Sequence, residues 1–182
     1  MRRRTLLAIL AVGAVALAAP FAIGRAPDVP EEPIPAGARA TRIVIDKTAG
    51  TLTLVFADGV HAPVTFGDAR FGAGRSEGPK REQGDERTPE GVYRVDQVRV
   101  SGPFIYLPSL LISYPDAADR RAAAARGVSP GGAILIHSPP KGWPLDVQPP
   151  GDWTDGCISL TRREVQVVVG AAWIGLPVEI RA

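Results

Sequence analysis

The chain has 182 residues, 45% of them hydrophobic and 22% charged, and a formal net charge of +2. The arginines at positions 2–4 more than account for that charge, so the remainder is near neutral and lacks the basic stripe that nucleic-acid binding requires. Beyond the N-terminal segments, roughly 145 residues remain, a size that suits one domain with its own core and no second module.

The N-terminus carries an export pattern. The arginines at positions 2–4 precede an apolar stretch, residues 5–18, that ends in small residues suited to cleavage. Extended to Ile23, the stretch is also long enough to span a bilayer. We predict that residues 1–24 are a cleaved signal peptide or an N-terminal membrane anchor, the first favoured because Pro20 interrupts a spanning helix. Either places the remainder in the periplasm or cell envelope.

The next segment, residues 25–38, contains four prolines and few large apolar residues. Such a composition predicts a semi-extended linker. The domain is therefore expected to occupy residues 39–182.

Period-two alternation predicts β-structure at the start of the domain. Residues 41–46 and 51–56 alternate apolar with polar or smaller side chains. Asp58 and Gly59 predict a hairpin turn that returns the chain through residues 60–66. His61 falls on that return strand, and we interpret it as a surface residue rather than a catalytic base.

The middle of the chain predicts a loop, a strand and a helix. Residues 67–90 are rich in glycine and charge and are expected to form a solvated loop, followed by a strand at 92–100. The alanine-rich residues 116–126 favour a short helix that ends at Gly127.

A second helix is predicted near the C-terminus. Thr161 and Glu164 match a capping box ahead of an apolar helical face. Pro177 then begins a closing strand at 178–180.

Between these helices lie the residue types that carry chemistry. Residues 134–136 form an apolar run that predicts a buried strand with His137 at its end. Five prolines within residues 138–153 disfavour a helix or a central strand, so we predict a long covering loop. The single cysteine, Cys157, follows in a polar turn that contains glycine.

Cys157 and His137 together suggest nucleophilic catalysis. A thiol must lose its proton to attack a carbonyl, and an imidazole within hydrogen-bond reach can take it. Residue type alone favours an inert buried cysteine, but a polar turn is a poor place for one, and an unpaired thiol in an exported protein indicates reactivity. One cysteine with one nearby histidine falls short of the four ligands of a structural zinc site.

The spacing of these residues resembles a known signature. His137, followed after a spacer by Thr154-Asp155-Gly156-Cys157-Ile158, resembles the active site of the L,D-transpeptidase catalytic domain (YkuD-type), a cysteine acyltransferase of bacterial cell walls. Residues 78–95 and 112–116 are also similar to family segments, in the expected order. Asp155 stands where the commonest motif has a second histidine, as in family branches with TDGC, and Ser159 where many members carry arginine or asparagine.

The resemblance implies a mainly β fold, a β-sandwich or mixed sheet with two short helices. It implies that Cys157, with His137 as base, forms a thioester with a peptidoglycan stem tetrapeptide and transfers it to an amine of another stem peptide or of a wall-attached protein. No metal or organic cofactor is required. A hydrolase of the L,D-carboxypeptidase or endopeptidase type, and a non-catalytic wall-binding domain, remain as alternatives.

The resemblance also suggests supporting residues. Residues expected to shape the turn or stabilise an oxyanion are Thr154, Asp155 and Gly156, with Asp155 either orienting His137 or forming the turn. Residues expected to contact substrate are Ser138, Trp153 and Ser159.

Overall fold

The computed structural model describes residue 34 and residues 37–58, 61–73 and 78–182. The predicted signal peptide or anchor, nearly all of the linker, and Gly59 and Val60 of the predicted hairpin lie outside the described residues. Within the described part of the chain, no helix has the length and apolar character needed to cross a membrane.

Eight strands form one mixed sheet in the described residues. The strands are β1 (Arg42–Asp46), β2 (Thr51–Val55), β3 (Val64–Phe66), β4 (Gly91–Arg99), β5 (Ser109–Ile112), β6 (Leu135–His137), β7 (Ile158–Ser159) and β8 (Pro177–Arg181). Their order across the sheet is β3-β2-β1-β8-β4-β5-β6-β7. The β1–β8 and β6–β7 pairs are parallel and the other five pairs are antiparallel. The predicted mainly β, mainly antiparallel fold is confirmed.

The sheet curls at β4, because the two halves of this strand pair with different neighbours. Its first half pairs with β8 and its second half with β5, with a register shift between Val95 and Gln97. Such an irregularity bends a strand and increases its twist. Beyond β3, isolated bridges join Arg70 to Ser159 and Gly72 to Thr154. The segment after one edge strand therefore meets the turn and strand at the other edge.

Two details differ from the sequence prediction. The return strand β3 begins only at Val64, directly after Pro63, because proline has no N–H to donate to a ladder. His61 therefore precedes the strand instead of lying on it. The short strands β5 and β7 were not predicted.

Both predicted helices are present, and local capping defines them. Helix α1 (Ala117–Ala125) begins at the N-cap Asp116, and Gly127 follows its end at φ +72°. Helix α2 (Arg162–Ala171) begins with the predicted capping box of Thr161 and Glu164.

Helix α2 packs on the face of the sheet that forms the core. Its buried Val165 and Val168 lie over β5 and β6, whose Leu110 and Ile136 are also fully buried. Full burial of one such side chain stabilises the fold by roughly 1.5 to 3 kcal/mol. This packing fixes β6, and with it the residue at its end.

Candidate active site

His137 is the last residue of β6, and the register of the sheet sets its direction. It pairs with Ser109 of β5 on one side and with Ser159 of β7 on the other. Residues opposite each other in a ladder direct their side chains to the same face. The adjacent Ile136 and Ile158 direct theirs into the core. The imidazole therefore belongs to a row of polar side chains on the face away from α2.

One hydrogen bond fixes the tautomer of His137. Its Nδ1 lies 2.7 Å from the carbonyl oxygen of Ser138. A carbonyl oxygen only accepts, so Nδ1 carries the proton and Nε2 keeps its lone pair. Burial lowers the pKa of His137 to about 4, although the Ser138 carbonyl opposes that shift. Near pH 7 the imidazole is neutral and able to accept a proton at Nε2.

Cys157 is half-buried in the turn before β7. Its Sγ accepts a hydrogen bond from the Leu135 N–H at 3.4 Å and lies 3.8 Å from the Ala133 carbonyl oxygen. Burial raises the pKa of the thiol, the Leu135 N–H lowers it, the charge of Asp155 raises it and that of Lys80 lowers it, with a net rise. The resting sulfur is therefore a neutral thiol, and its attack on a carbonyl requires a base.

The sheet brings Cys157 and His137 to the same face. Cys157 precedes Ser159 by two positions, and Ser159 pairs with His137. Alternation thus places the Cys157 side chain on the same face as that of His137, and its Sγ contacts the backbone of Leu135, two residues before His137. These two described residues form no hydrogen bond with each other at rest. Near pH 7 the thiol and the imidazole are both uncharged.

Thr154 and Gly156 shape the turn that presents Cys157. Thr154 Oγ1 donates to the Cys157 carbonyl oxygen at 2.7 Å and accepts from the Gly156 N–H at 3.3 Å. Gly156 adopts φ +119°, a conformation that residues with a Cβ atom disfavour. Both residues support the turn as the sequence predicts. The Gly156 N–H, expected as an oxyanion donor, is bonded to Thr154 in this structure.

Asp155 does not orient His137. The Nδ1 of His137 is bonded to Ser138, and Asp155 is exposed. That half of the prediction is wrong, because the imidazole finds its partner in the next residue of its own strand. The alternative, a polar residue in the turn, agrees with the position of Asp155 between Thr154 and Gly156.

The loop of residues 138–153 contains no helix or strand, as its prolines predict. Trp153 packs edge-on against His137, with 5.5 Å between ring centroids, and Tyr106 lies 4.4 Å from the same ring. Trp153 Nε1 is buried and has no hydrogen-bond partner among the residues that the structure describes. Trp153 therefore covers His137, whereas Trp143 is 40% exposed.

Ser138 and Ser159, expected as substrate contacts, are both fully buried. The Ser138 hydroxyl donates to the Leu107 carbonyl oxygen at 2.7 Å. Ser159 Oγ donates to Gln148 Oε1 at 2.9 Å, and Gln148 Nε2 donates back to the Ser159 carbonyl oxygen at 2.8 Å. Both side chains therefore make structural contacts within the protein. Ser138 holds the start of the loop of residues 138–153, and Ser159 binds Gln148 in that loop.

The charged loop before β4 packs against the turn that carries Cys157, which the sequence did not indicate. Asp85 accepts from Lys80 Nζ at 2.7 Å and from the N–H groups of Arg81, Glu82 and Arg87. Burial alone would raise the pKa of Asp85, but these hydrogen bonds outweigh it and lower the pKa to about 2. Lys80 and Asp85 are 4% and 8% exposed. The residues expected to form a solvated face thus include a buried ion pair.

The backbone of this loop lies close to the backbone of the turn that carries Cys157. A Cβ atom on Gly72 would lie 2.0 Å from the Glu86 carbonyl oxygen and 2.8 Å from the Gly156 Cα. The Gly72 N–H donates to Thr88 Oγ1 at 3.1 Å. Three chain segments are therefore stacked at Gly156, where only glycine permits the approach.

His61 contributes to a separate contact. Its Nδ1 pairs with Asp58, and its ring lies 5.6 Å from that of Phe56. In the described part of the chain, no three His, Cys, Asp or Glu side chains are grouped so that they could hold a metal ion.

Comparison with known proteins identifies the family of the domain. The sequence matches the model of the L,D-transpeptidase catalytic domain, YkuD, over residues 40–180. The match covers more than half of the chain, and the protein therefore belongs to the L,D-transpeptidase catalytic domain family. No curated protein matches it significantly.

Solved structures show the same fold at low sequence identity. The helical cell shape determining protein Pgp2 from Campylobacter jejuni is 24% identical with a TM-score of 0.60, covering 80% of this chain and 48% of that chain. Bd1075 from Bdellovibrio bacteriovorus is 20% identical with a TM-score of 0.54, covering 79% and 48%. The chain spans about half the length of these structures, and the likeness establishes the fold alone.

Proposed function

We propose that the protein is an exported peptidoglycan L,D-transpeptidase with Cys157 as nucleophile and His137 as general base. The observation that carries the proposal is the bond from His137 Nδ1–H to the Ser138 carbonyl, 2.7 Å long. It leaves the Nε2 lone pair free on a buried, neutral imidazole that lies on the same face of the sheet as the only cysteine of the chain. A neutral base next to a protonated thiol is the arrangement that general-base activation needs.

Acylation would begin as the Cys157 thiol turns from the Ala133 carbonyl towards His137. The proton passes from Sγ to Nε2 while sulfur attacks the carbonyl carbon between the third and fourth residues of a stem tetrapeptide. The tetrahedral intermediate collapses with cleavage of the C–N bond. The proton on Nε2 moves to the departing amine, so D-alanine leaves and a thioester remains on Cys157.

The negative charge on the intermediate needs hydrogen-bond donors. Loss of one such donor typically slows acyl transfer roughly a hundredfold or more. The Gly156 N–H donates to Thr154 Oγ1 at 3.3 Å in the resting structure. It would become a donor to the oxyanion once it leaves Thr154 for the substrate oxygen. Trp153 Nε1, buried and without a hydrogen-bond partner among the described residues, is a donor for a substrate carbonyl at the same site.

We infer that an amine, rather than water, receives the acyl group. A cover that excludes water favours an amine acceptor. Trp153 and Tyr106 both pack on the base, and the paired bonds between Gln148 and Ser159 fasten the loop across β7. The acceptor would be a stem peptide or a wall-attached protein.

Incubation of the purified protein with tetrapeptide muropeptides and an excess of a D-amino acid tests the proposal. We expect mass analysis to show the exchanged stem peptide as the main product, and none with Cys157→Ala. Tripeptide and free D-alanine at high amine concentration, or cleavage of existing cross-links, would instead identify a hydrolase. Retention on peptidoglycan without any product would identify a wall-binding domain.

A further inference from the structure

The two residues after Ser138 are prolines, so their backbone offers no N–H to anchor the start of the covering loop. Their carbonyl oxygens are bonded to one side chain instead. Arg162 Nη2 donates to the Pro139 carbonyl oxygen at 3.2 Å and to that of Pro140 at 3.0 Å. Nη1 of the same guanidinium donates to the Leu107 carbonyl oxygen. The first residue of α2 thus ties together two segments that flank the candidate base.

Those two segments hold the ring of His137 directly. The Leu107 carbonyl oxygen that accepts from Arg162 also accepts from the Ser138 hydroxyl at 2.7 Å. The Ser138 carbonyl oxygen in turn accepts from His137 Nδ1. Tyr106, which precedes Leu107, packs on the ring at 4.4 Å between centroids. An unbroken series of contacts therefore leads from the guanidinium to the imidazole.

We propose that Arg162 is a positioning residue for His137. By fixing the Leu107, Pro139 and Pro140 carbonyls, it fixes the peptide whose oxygen selects the Nδ1–H tautomer, and so it keeps Nε2 available for the thiol. Arginine suits the task because its planar fork serves several acceptors at set angles, whereas the lysine ammonium is a compact point charge. The catalytic consequence rests on the proposed function, but the effect on the tautomer does not.

The tautomer can be measured by long-range proton–nitrogen correlation spectra of the two histidine rings in the full chain, with His61→Gln to assign them. We expect the Nδ1–H form of His137 in the wild type and a mixture of tautomers in Arg162→Gln. In Arg162→Gln, the rate at which a saturating carbapenem acylates Cys157 should fall about tenfold to a hundredfold. Misplacement of a catalytic group costs on that order. Arg162→Lys should lie between the two.

Arg163 is the matched control, because it is the next residue of α2 and also reaches the covering loop. Its guanidinium pairs with Asp146, and both side chains are more than half exposed. An exposed pair contributes little, so Arg163→Gln should leave the tautomer unchanged and the acylation rate within about twofold.

A folded Arg162→Gln protein with the wild-type tautomer and acylation rate would overturn the proposal. If that variant does not fold, Arg162→Lys decides by the same two measurements, and wild-type values for both would again overturn it. If the wild type is not acylated at all, the proposed function fails. The tautomer spectra then still decide whether Arg162 positions the ring.

Discussion

A Cβ atom on Gly156 would lie 2.5 Å from the carbonyl oxygen of Arg87, a distance that real side chains do not adopt. The turn that carries Cys157 therefore packs against the backbone of the loop before β4, and its shape depends on a residue without a side chain. The positive φ of Gly156, +119°, adds a second reason for glycine.

Gly156→Ala should consequently inactivate the protein. Backbone strain of about 1 to 3 kcal/mol combines with a displacement of the turn, and misplacement of a nucleophile by about 1 Å costs on the order of a hundredfold in rate. Gly142→Ala is the control, because Gly142 has φ +97° but open space around it. Wild-type acylation in Gly156→Ala would show that the turn tolerates displacement.

Cys157→Ala should abolish acylation while it changes the free energy of unfolding by no more than about 1 kcal/mol, as expected outside the core. A β-lactam of the carbapenem type should add its mass to the wild type and not to Cys157→Ser. Intact-protein mass spectrometry and thermal unfolding measure the two effects. A large loss of stability with activity retained would make Cys157 a structural residue.

His137→Ala should slow acylation severely, by about a hundredfold or more, because the neutral thiol loses its base. His61→Ala should have little effect, since its contacts are with Asp58 and Phe56. Both rates can be measured by quenching the reaction at intervals and determining the acylated fraction of the protein by mass spectrometry. An exchange of the two effects would contradict the assignment of the base.

The sequence predicted the elements whose cause is local. The alternation in β1 and β2, the alanine content of α1 and the capping box of Thr161 and Glu164 each act within a few positions, so pattern and composition sufficed. The strand β5 (Ser109–Ile112) escaped prediction because its apolar residues do not alternate and prolines stand on both sides. Two-residue β7 is too short to carry any period.

The sequence indicates the candidate nucleophile and base by residue type, whereas the contacts that depend on distant partners were not predicted. His137 and Cys157 are the imidazole and thiol that the proposed chemistry requires, and the sheet register directs both side chains to one face. Asp85, Gln148 and Arg162 are common polar residues, and nothing local indicates that they would bond to Lys80, Ser159 and three carbonyl oxygens. Their partners are defined only by the folded sheet.

Asp85→Ala should destabilise the loop behind the turn. Its removal leaves the Lys80 ammonium, 4% exposed, without the carboxylate that accepts from it. An unpaired buried charge costs roughly 3 to 5 kcal/mol. Asp146→Ala removes the carboxylate of an exposed pair and should change stability little. Chemical denaturation of both variants measures the difference, and equal effects would refute the inference that Lys80 and Asp85 are a buried pair.

His137 should also make both rate and stability depend on pH below neutrality. Its pKa in the folded protein is about 4, against an ordinary value of 6.5, because burial disfavours the charged ring. The imidazole remains a base down to about pH 4, so the acid limb of the acylation rate should fall near pH 4 instead of near pH 6.5. A pH profile of kcat/KM measures this limb.

The sign of the stability effect follows from the same two pKa values. Between pH 6.5 and about pH 4 the unfolded chain binds a proton at this histidine and the folded chain does not, so acidification favours unfolding across that window. The free energy of unfolding should therefore be lower at pH 4 than above pH 6.5 by on the order of 3 kcal/mol. Below about pH 4 this histidine causes no further change. Denaturation at several pH values, repeated with His137→Gln, isolates the contribution, because the variant has no imidazole at this position. A difference between the two proteins that stays constant from pH 7 to pH 4 would mean that the imidazole is charged in the folded protein as readily as in the unfolded chain.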